Sequence, residues 1–195
     1  MKHVLSVLAI AASSLAAVST AHAQQSEPLR AVQVGALESP PNSSAAYGLT
    51  ALDFAGDILQ VDSNFKYLES PSLASHIHCC TSTPFTGDAG IAVPFTHTPV
   101  GVQSGSFTQA IDLTKDASFT PAFLDSNGGT AESAQAALMA GINAHEAYVN
   151  VHSDKFPEGE IRGFIVAAPV PEPASWAMLG LGLAGLGFVA RKRKV

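Results

Sequence analysis

Close to the C-terminal end of the domain, apolar and polar residues alternate on both sides of a single turn. The two stretches are Tyr148-Val149-Asn150-Val151-His152-Ser153 and Glu160-Ile161-Arg162-Gly163-Phe164-Ile165-Val166, separated by Asp154-Lys155-Phe156-Pro157-Glu158-Gly159. Period two belongs to strands, because successive side chains leave a pleated backbone on opposite faces. The two stretches therefore predict a β-hairpin with a six-residue loop. A slip of one residue would turn every apolar side chain to the wrong face, so the pattern also predicts the register. Val149 and Val151 share a face with Ile161 and Ile165 if Val151 pairs with Ile161. That pairing sets His152 opposite Glu160 and Asn150 opposite Arg162, so the polar face is an ordered row.

A lone hairpin is only marginally stable, and the rest of the chain supplies more strands. Short extended segments are predicted over 31–37, 47–54, 59–67, 73–79, 91–95 and 106–113. In the third of these, Leu59, Val61, Phe65 and Tyr67 fall on one side, with Gln60, Asp62, Asn64 and Lys66 on the other. Turn clusters punctuate them at 39–44, Gly56-Asp57, Ser70-Pro71, 81–90 and 97–105. One good helix is expected inside the domain: Thr130 caps it, Ala131 to Ala140 fills it, and Gly141 stops it. Many short strands with one short helix predict a mainly-β, antiparallel β-sandwich of Greek-key type.

Both ends of the chain carry address-like patterns. Lys2, an apolar run over 4–18 and Ala21-His22-Ala23 read as a secretory signal peptide cut after Ala23, covering 1–23. A polar leader follows over 24–30, then the domain over 31–168. In the tail, 169–195, Pro171-Glu172-Pro173 precedes an apolar run over 174–190 and then Arg191-Lys192-Arg193-Lys194. As a helix the seventeen-residue run spans about 26 Å, enough to cross a bilayer with flanking help. The basic end should stay cytoplasmic. This three-part tail resembles the PEP-CTERM sorting signal of Gram-negative bacteria. The resemblance implies export across the inner membrane and transient anchoring with the domain in the periplasm. It implies exosortase and the secretion machinery as partners, and delivery to the cell surface or an exopolysaccharide matrix.

Five basic residues remain between the two addresses (Arg30, Lys66, Lys115, Lys155 and Arg162), against fifteen acidic ones once Glu172 is set aside. The domain is thus near −10 with neutral histidines. It has no basic footprint for nucleic acid.

Three motifs inside the domain carry a second resemblance: Leu37-Glu38-Ser39-Pro40-Pro41, Ala74-Ser75-His76-Ile77-His78-Cys79-Cys80, and the closing pair Tyr148–Ser153 with Gly159-Glu160-Ile161-Arg162-Gly163. Together they resemble the CHRD domain, named for chordin and also found in exported bacterial proteins. The resemblance implies an immunoglobulin-like or Cu/Zn superoxide dismutase-like sandwich.

The candidate chemistry sits where the two histidine strands meet. His76 and His78 share a face of one strand, and His152 lies on another. Three neutral imidazoles on rigid strands suit Zn²⁺ or Cu²⁺, with Glu160 orienting His152 or completing the shell, and Asn150 and Arg162 fixing that partner. The same residues also read as a hydrogen-bonded polar row pinning the hairpin to the central strand. His97 and His145 fall in loop-like stretches and read as surface residues. Superoxide dismutation would need a bridging histidine and a further His/Asp cluster, which five exported histidines do not supply. Cys79 and Cys80 permit one intrachain bridge between neighbours, two free thiols, thiolate ligands, or bonds to another chain. Neither a Gly-x-Ser-x-Gly nucleophile motif nor a phosphate-binding glycine loop occurs. The chain is expected to be a structural or interaction component of the surface or matrix, binding exopolysaccharide or surface proteins, and not an enzyme. A metal-binding or redox module is the alternative.

Overall fold

The computed structural model describes residues 28–169. The expected signal peptide with Ala21 and Ala23, most of the leader, the sorting residues Pro171, Glu172 and Pro173, and the tail helix lie outside the described residues. Among the described residues no helix is long and apolar enough to cross a membrane.

The domain is mainly β. Nine strands form one curled antiparallel sheet: β1 (Leu29–Val34), β2 (Tyr47–Ala55), β3 (Ile58–Lys66), β4 (Ser72–His78), β5 (Ile91–Pro94), β6 (Gly105–Asp112), β7 (Tyr148–Ser153), β8 (Ile161–Phe164) and β9 (Val166–Ala167). Their order is β5-β4-β7-β8-β1-β2-β3-β6, with β9 also on β1. The predicted hairpin register holds, with Val151 opposite Ile161 and Asn150 opposite Arg162. The closing strand is not continuous. At Ile165 the backbone N–H turns to the Ala147 carbonyl, and Val166 then pairs with Arg30 of β1. One chain segment therefore stitches the hairpin to the first strand.

Alternation fills the interior. Leu59, Val61, Ile77, Val149, Phe107 and Leu138 belong to the main apolar cluster, and Phe65, Val151 and Ile161 to a smaller one beside it. Each such side chain contributes about 1.5–3 kcal/mol when withdrawn fully from water. Tyr67 departs from its predicted face. The strand ends at Lys66, Tyr67 takes a left-handed backbone (φ 62°), and its ring stands 66 % exposed against Tyr47.

Two α-helices, rather than one, cover one end of the core: α1 (Pro121–Ser126) and α2 (Ala131–Asn143). Each starts where threonine chemistry dictates. Thr120 accepts from the Phe123 N–H ahead of a first-turn proline, and Thr130 forms a capping box with Ser133. Helix α1 is a single short span with one buried apolar residue, Phe123, too brief to carry a visible period. Gly141 does not stop α2. It lies inside the helix because the sulfurs of Cys79 and Cys80 pack where its Cβ would be.

Candidate functional site

Strands β4 and β7 pair with His76 opposite Asn150, His78 opposite Tyr148 and Ala74 opposite His152. All three histidines therefore leave the same face, while Ile77, Val149 and Val151 enter the core from the other. Their ligating nitrogens lie within 4.8 Å of one another. His76 Nδ1 and His152 Nε2 are 3.2 Å apart.

The ring orientations follow from two backbone carbonyls. His78 Nδ1 is 2.9 Å from the Ala89 oxygen, and His152 Nδ1 is 2.9 Å from the Pro157 oxygen. A carbonyl only accepts, so both rings donate from Nδ1 and point a bare Nε2 lone pair inward. His78 Nε2 is buried with no hydrogen-bond partner. Tyr148 stacks on the His78 ring with centroids 4.8 Å apart, and the Arg162 guanidinium lies 4.7 Å from the Tyr148 centroid.

Burial keeps these rings neutral. His76 is driven down to about 3, first by burial and then by repulsion from His152 and His78. His78 falls to about 4, again through burial, with the Ala89 carbonyl working against the shift. Burial lowers His152 as well, opposed by the Pro157 carbonyl and the Glu158 charge. Three neutral nitrogens facing one point form a donor set for a borderline metal ion. Two nitrogens each 2.0–2.1 Å from a tetrahedral ion are about 3.3 Å apart, close to the 3.2 Å that separates His76 Nδ1 from His152 Nε2. The group opens into a cleft of about 630 Å³ with Asp88, Tyr148 and Glu158 on its walls.

Glu160 does not join the histidines. It precedes β8, behind Gly159 at φ 139°, and its side chain turns to the Ser153 face instead of the His152 face. There it is fully buried and accepts from Ser44 Oγ (2.7 Å), the Glu69 N–H (2.7 Å) and Ser153 Oγ (2.5 Å). Three donors from three segments outcompete one imidazole. The role expected of Glu160 toward His152 is filled by the Pro157 carbonyl.

Asn150 and Arg162 likewise hold a different acid. Asn150 Nδ2 donates to both Glu38 oxygens at 3.1 and 3.3 Å, and Arg162 Nε lies 3.9 Å from Glu38. Arg162 also donates to the Leu37 carbonyl, the Gly87 carbonyl and Asp88. Burial raises Glu38 to about 7, with Arg162 pulling the other way. Glu38 lies in a motif already singled out, but its partners are more than a hundred residues away, so no local pattern marks it. The carbonyls of Ala89 and Pro157 have no sequence signature at all.

Cys79 and Cys80 are disulfide-bonded to each other across a cis peptide. That removes both thiolates from the histidine group. Cys79 is buried and Cys80 exposed; with Phe123 they wall a neighbouring cavity of about 640 Å³, which meets the histidine cleft at Gly90 and Ile91. His97 is exposed, as expected. His145 is half-buried and stacks on Phe85 at 4.6 Å, so it is not a free surface residue.

A model of the CHRD domain family matches residues 29–165, most of the chain. The protein belongs to the CHRD domain family. Directly behind the CHRD domain, residues 169–194 match the PEP-CTERM protein-sorting motif. No curated protein and no solved structure matches the chain. A CHRD domain followed by a PEP-CTERM motif is the organisation of an exported protein sorted by exosortase, anchored by its C-terminal tail before processing.

Proposed function

We propose that this protein is a structural or interaction component of the cell surface or extracellular matrix, associated with exopolysaccharide or surface proteins, and that it binds rather than catalyses. The observation that carries this reading is the join between domain and tail. The CHRD match ends at 165 and the sorting motif begins at 169. Strand β9 lies between them, paired to β1, and the Ala168 N–H donates to the Pro28 carbonyl. The folded domain thus runs straight into its address without a linker, and Pro28 and Ala168, near the two ends of the described residues, lie side by side. We take the boundaries to be a signal peptide over 1–23, a leader over 24–30, the domain over 31–168 and a tail over 169–195 with its membrane helix at 174–190. The curled sheet is read as a Greek-key sandwich of immunoglobulin-like or superoxide dismutase-like type, supported by β8 lying between β7 and β1.

The test is fractionation of the native host carrying the wild-type chain or Pro171→Ala/Glu172→Ala/Pro173→Ala. Wild type is expected in the surface or matrix fraction and the variant in the inner membrane. A variant that still reaches the surface would sink the sorting reading.

One observation favours a second reading, a metal-binding module. The His76, His78 and His152 nitrogens converge within 4.8 Å, and two of the rings are aimed by carbonyls. Zn²⁺ or Cu²⁺ fits that donor set. Elemental analysis of protein purified without chelator tests it. About one ion per chain is expected, absent from His76→Ala/His152→Ala.

A further inference from the structure

A divalent ion held by three neutral imidazoles keeps its full charge of +2. Nothing else in the ligand set offsets it: Glu160 is turned away to Ser44, Glu69 and Ser153, and Glu38 is tied to Asn150 and Arg162. Zinc with three protein ligands takes a fourth from outside. In a low-dielectric cleft that ligand is favoured to be an anion.

The cleft around that position also limits which anion fits. Asp88 and Glu158 line it. The guanidinium of Arg162 is buried and paired to Asp88 and Glu38. Lys155 and Lys115 are paired to Glu69 and Asp112. Without the ion the cleft is acid-rimmed, and an anion has no positive group there to hold it. A densely charged ligand such as a phosphate or an acidic peptide meets repulsion from the rim. A ligand with one carboxylate and several hydroxyls offsets that repulsion, because its hydroxyls donate to the rim carboxylates. Its ring can lie on Leu73 and Pro157, which are exposed in the same cleft. About 630 Å³ is ample for a sugar unit.

We propose that the ion on His76, His78 and His152 keeps one coordination position for an outside carboxylate, and that this carboxylate belongs to a uronic acid residue of an acidic polysaccharide. The inference rests on the metal reading of the site and joins it to the matrix reading: the ion lets an acidic domain grip an acidic polymer.

The experiment uses the full chain in detergent, stripped with chelator, reloaded with one equivalent of Zn²⁺ and freed of excess ion. Zn²⁺ binding is measured first, by calorimetry. Oligogalacturonate binding is then measured on the loaded and stripped forms. The expected result is binding to the loaded form that weakens at least tenfold on stripping and is lost in His76→Ala/His152→Ala. A neutral glucan oligomer should not bind, and oligoglutamate should bind at least tenfold more weakly than oligogalacturonate. If Zn²⁺ itself does not bind, the metal reading fails and takes this inference with it. If Zn²⁺ binds but oligogalacturonate does not, or binds equally without Zn²⁺, this inference alone is overturned. Oligoglutamate binding as tightly as oligogalacturonate overturns the assignment to a sugar acid. A tenfold or greater loss of Zn²⁺ affinity in Glu158→Gln would mean that Glu158 already fills the fourth position, which also overturns the proposal; a smaller change keeps that position open.

Discussion

The hairpin β7–β8 carries two buried polar sites that solve opposite problems. Around Glu160, every charged oxygen meets a donor: Ser44, Ser153 and the Glu69 N–H close on it from three segments. Around His76, His78 and His152, one hydrogen bond joins His76 Nδ1 to the His152 Nε2 lone pair, and His78 Nε2 is left without a partner. The first arrangement is complete in itself and holds the fold. The second leaves one acceptor open. A buried polar group without a partner costs roughly 1–3 kcal/mol, and at His78 Nε2 that open acceptor lies beside two further imidazoles. Hydrogen-bond accounting, more than residue type, separates architecture from site here.

The largest effect is expected at Glu160. Glu160→Ala takes the carboxylate from the buried Ser153 hydroxyl, the half-buried Ser44 hydroxyl and the Glu69 N–H. We expect a loss of about 3–5 kcal/mol, read from urea unfolding of the full chain in a mild detergent. A loss below 1 kcal/mol would mean that water replaces the carboxylate and that the two sites are not opposites.

The histidine site should behave the other way. In chelator, His76→Ala/His152→Ala should change stability by less than about 1 kcal/mol, since it removes both members of the His76–His152 hydrogen bond together. With Zn²⁺ at one hundred times its Kd, wild type should gain about 2.7 kcal/mol and the variant nothing. Equal gains would place the ion elsewhere.

A control lies between the two sites in size. Gly141→Ala drives a methyl into the sulfurs of Cys79 and Cys80. About 1–3 kcal/mol should be lost, with Zn²⁺ binding unchanged, because the disulfide faces a different cavity.

The smallest expected effect is the pH profile of the metal-free chain. The folded histidines sit below the unfolded value, His76 at about 3 and His78 at about 4. Between those values and 6.5 the unfolded chain binds protons that the folded chain refuses. Their contribution is therefore present above pH 6.5 and is lost as pH falls toward 3. Glu38 runs in reverse: raised to about 7, it favours the fold below its unfolded value near 4.5 and loses that contribution as pH rises through 7. Melting temperature should fall on acidification from pH 6.5 to 4, and less steeply in His76→Ala/His152→Ala. A variant with the wild-type slope would place the acid sensitivity outside these rings.

Much of the scaffold was legible in the chain itself. Alternation between Tyr148 and Val166 is strong enough to specify strands, faces and register, because one face must be buried and a slip of one residue would expose it. The same rule places His76 and His78 on one face. It failed where a strand stops early: Tyr67 continues the pattern on paper, but its left-handed backbone carries it out to solvent. It failed also at Glu160, where a glycine at positive φ turns the residue off the strand face before pairing begins.

The sequence by itself determined the family, the address and the antiparallel alternation, since all three are written in neighbouring residues. Only the tertiary structure decided which polar groups meet. Glu160 takes its donors from Ser44, Glu69 and Ser153, Glu38 is claimed by Asn150 and Arg162, and the carbonyls of Ala89 and Pro157 aim two imidazoles at a third. Those partners are brought together by sheet order and loop path. A backbone carbonyl carries no residue identity for a sequence to record.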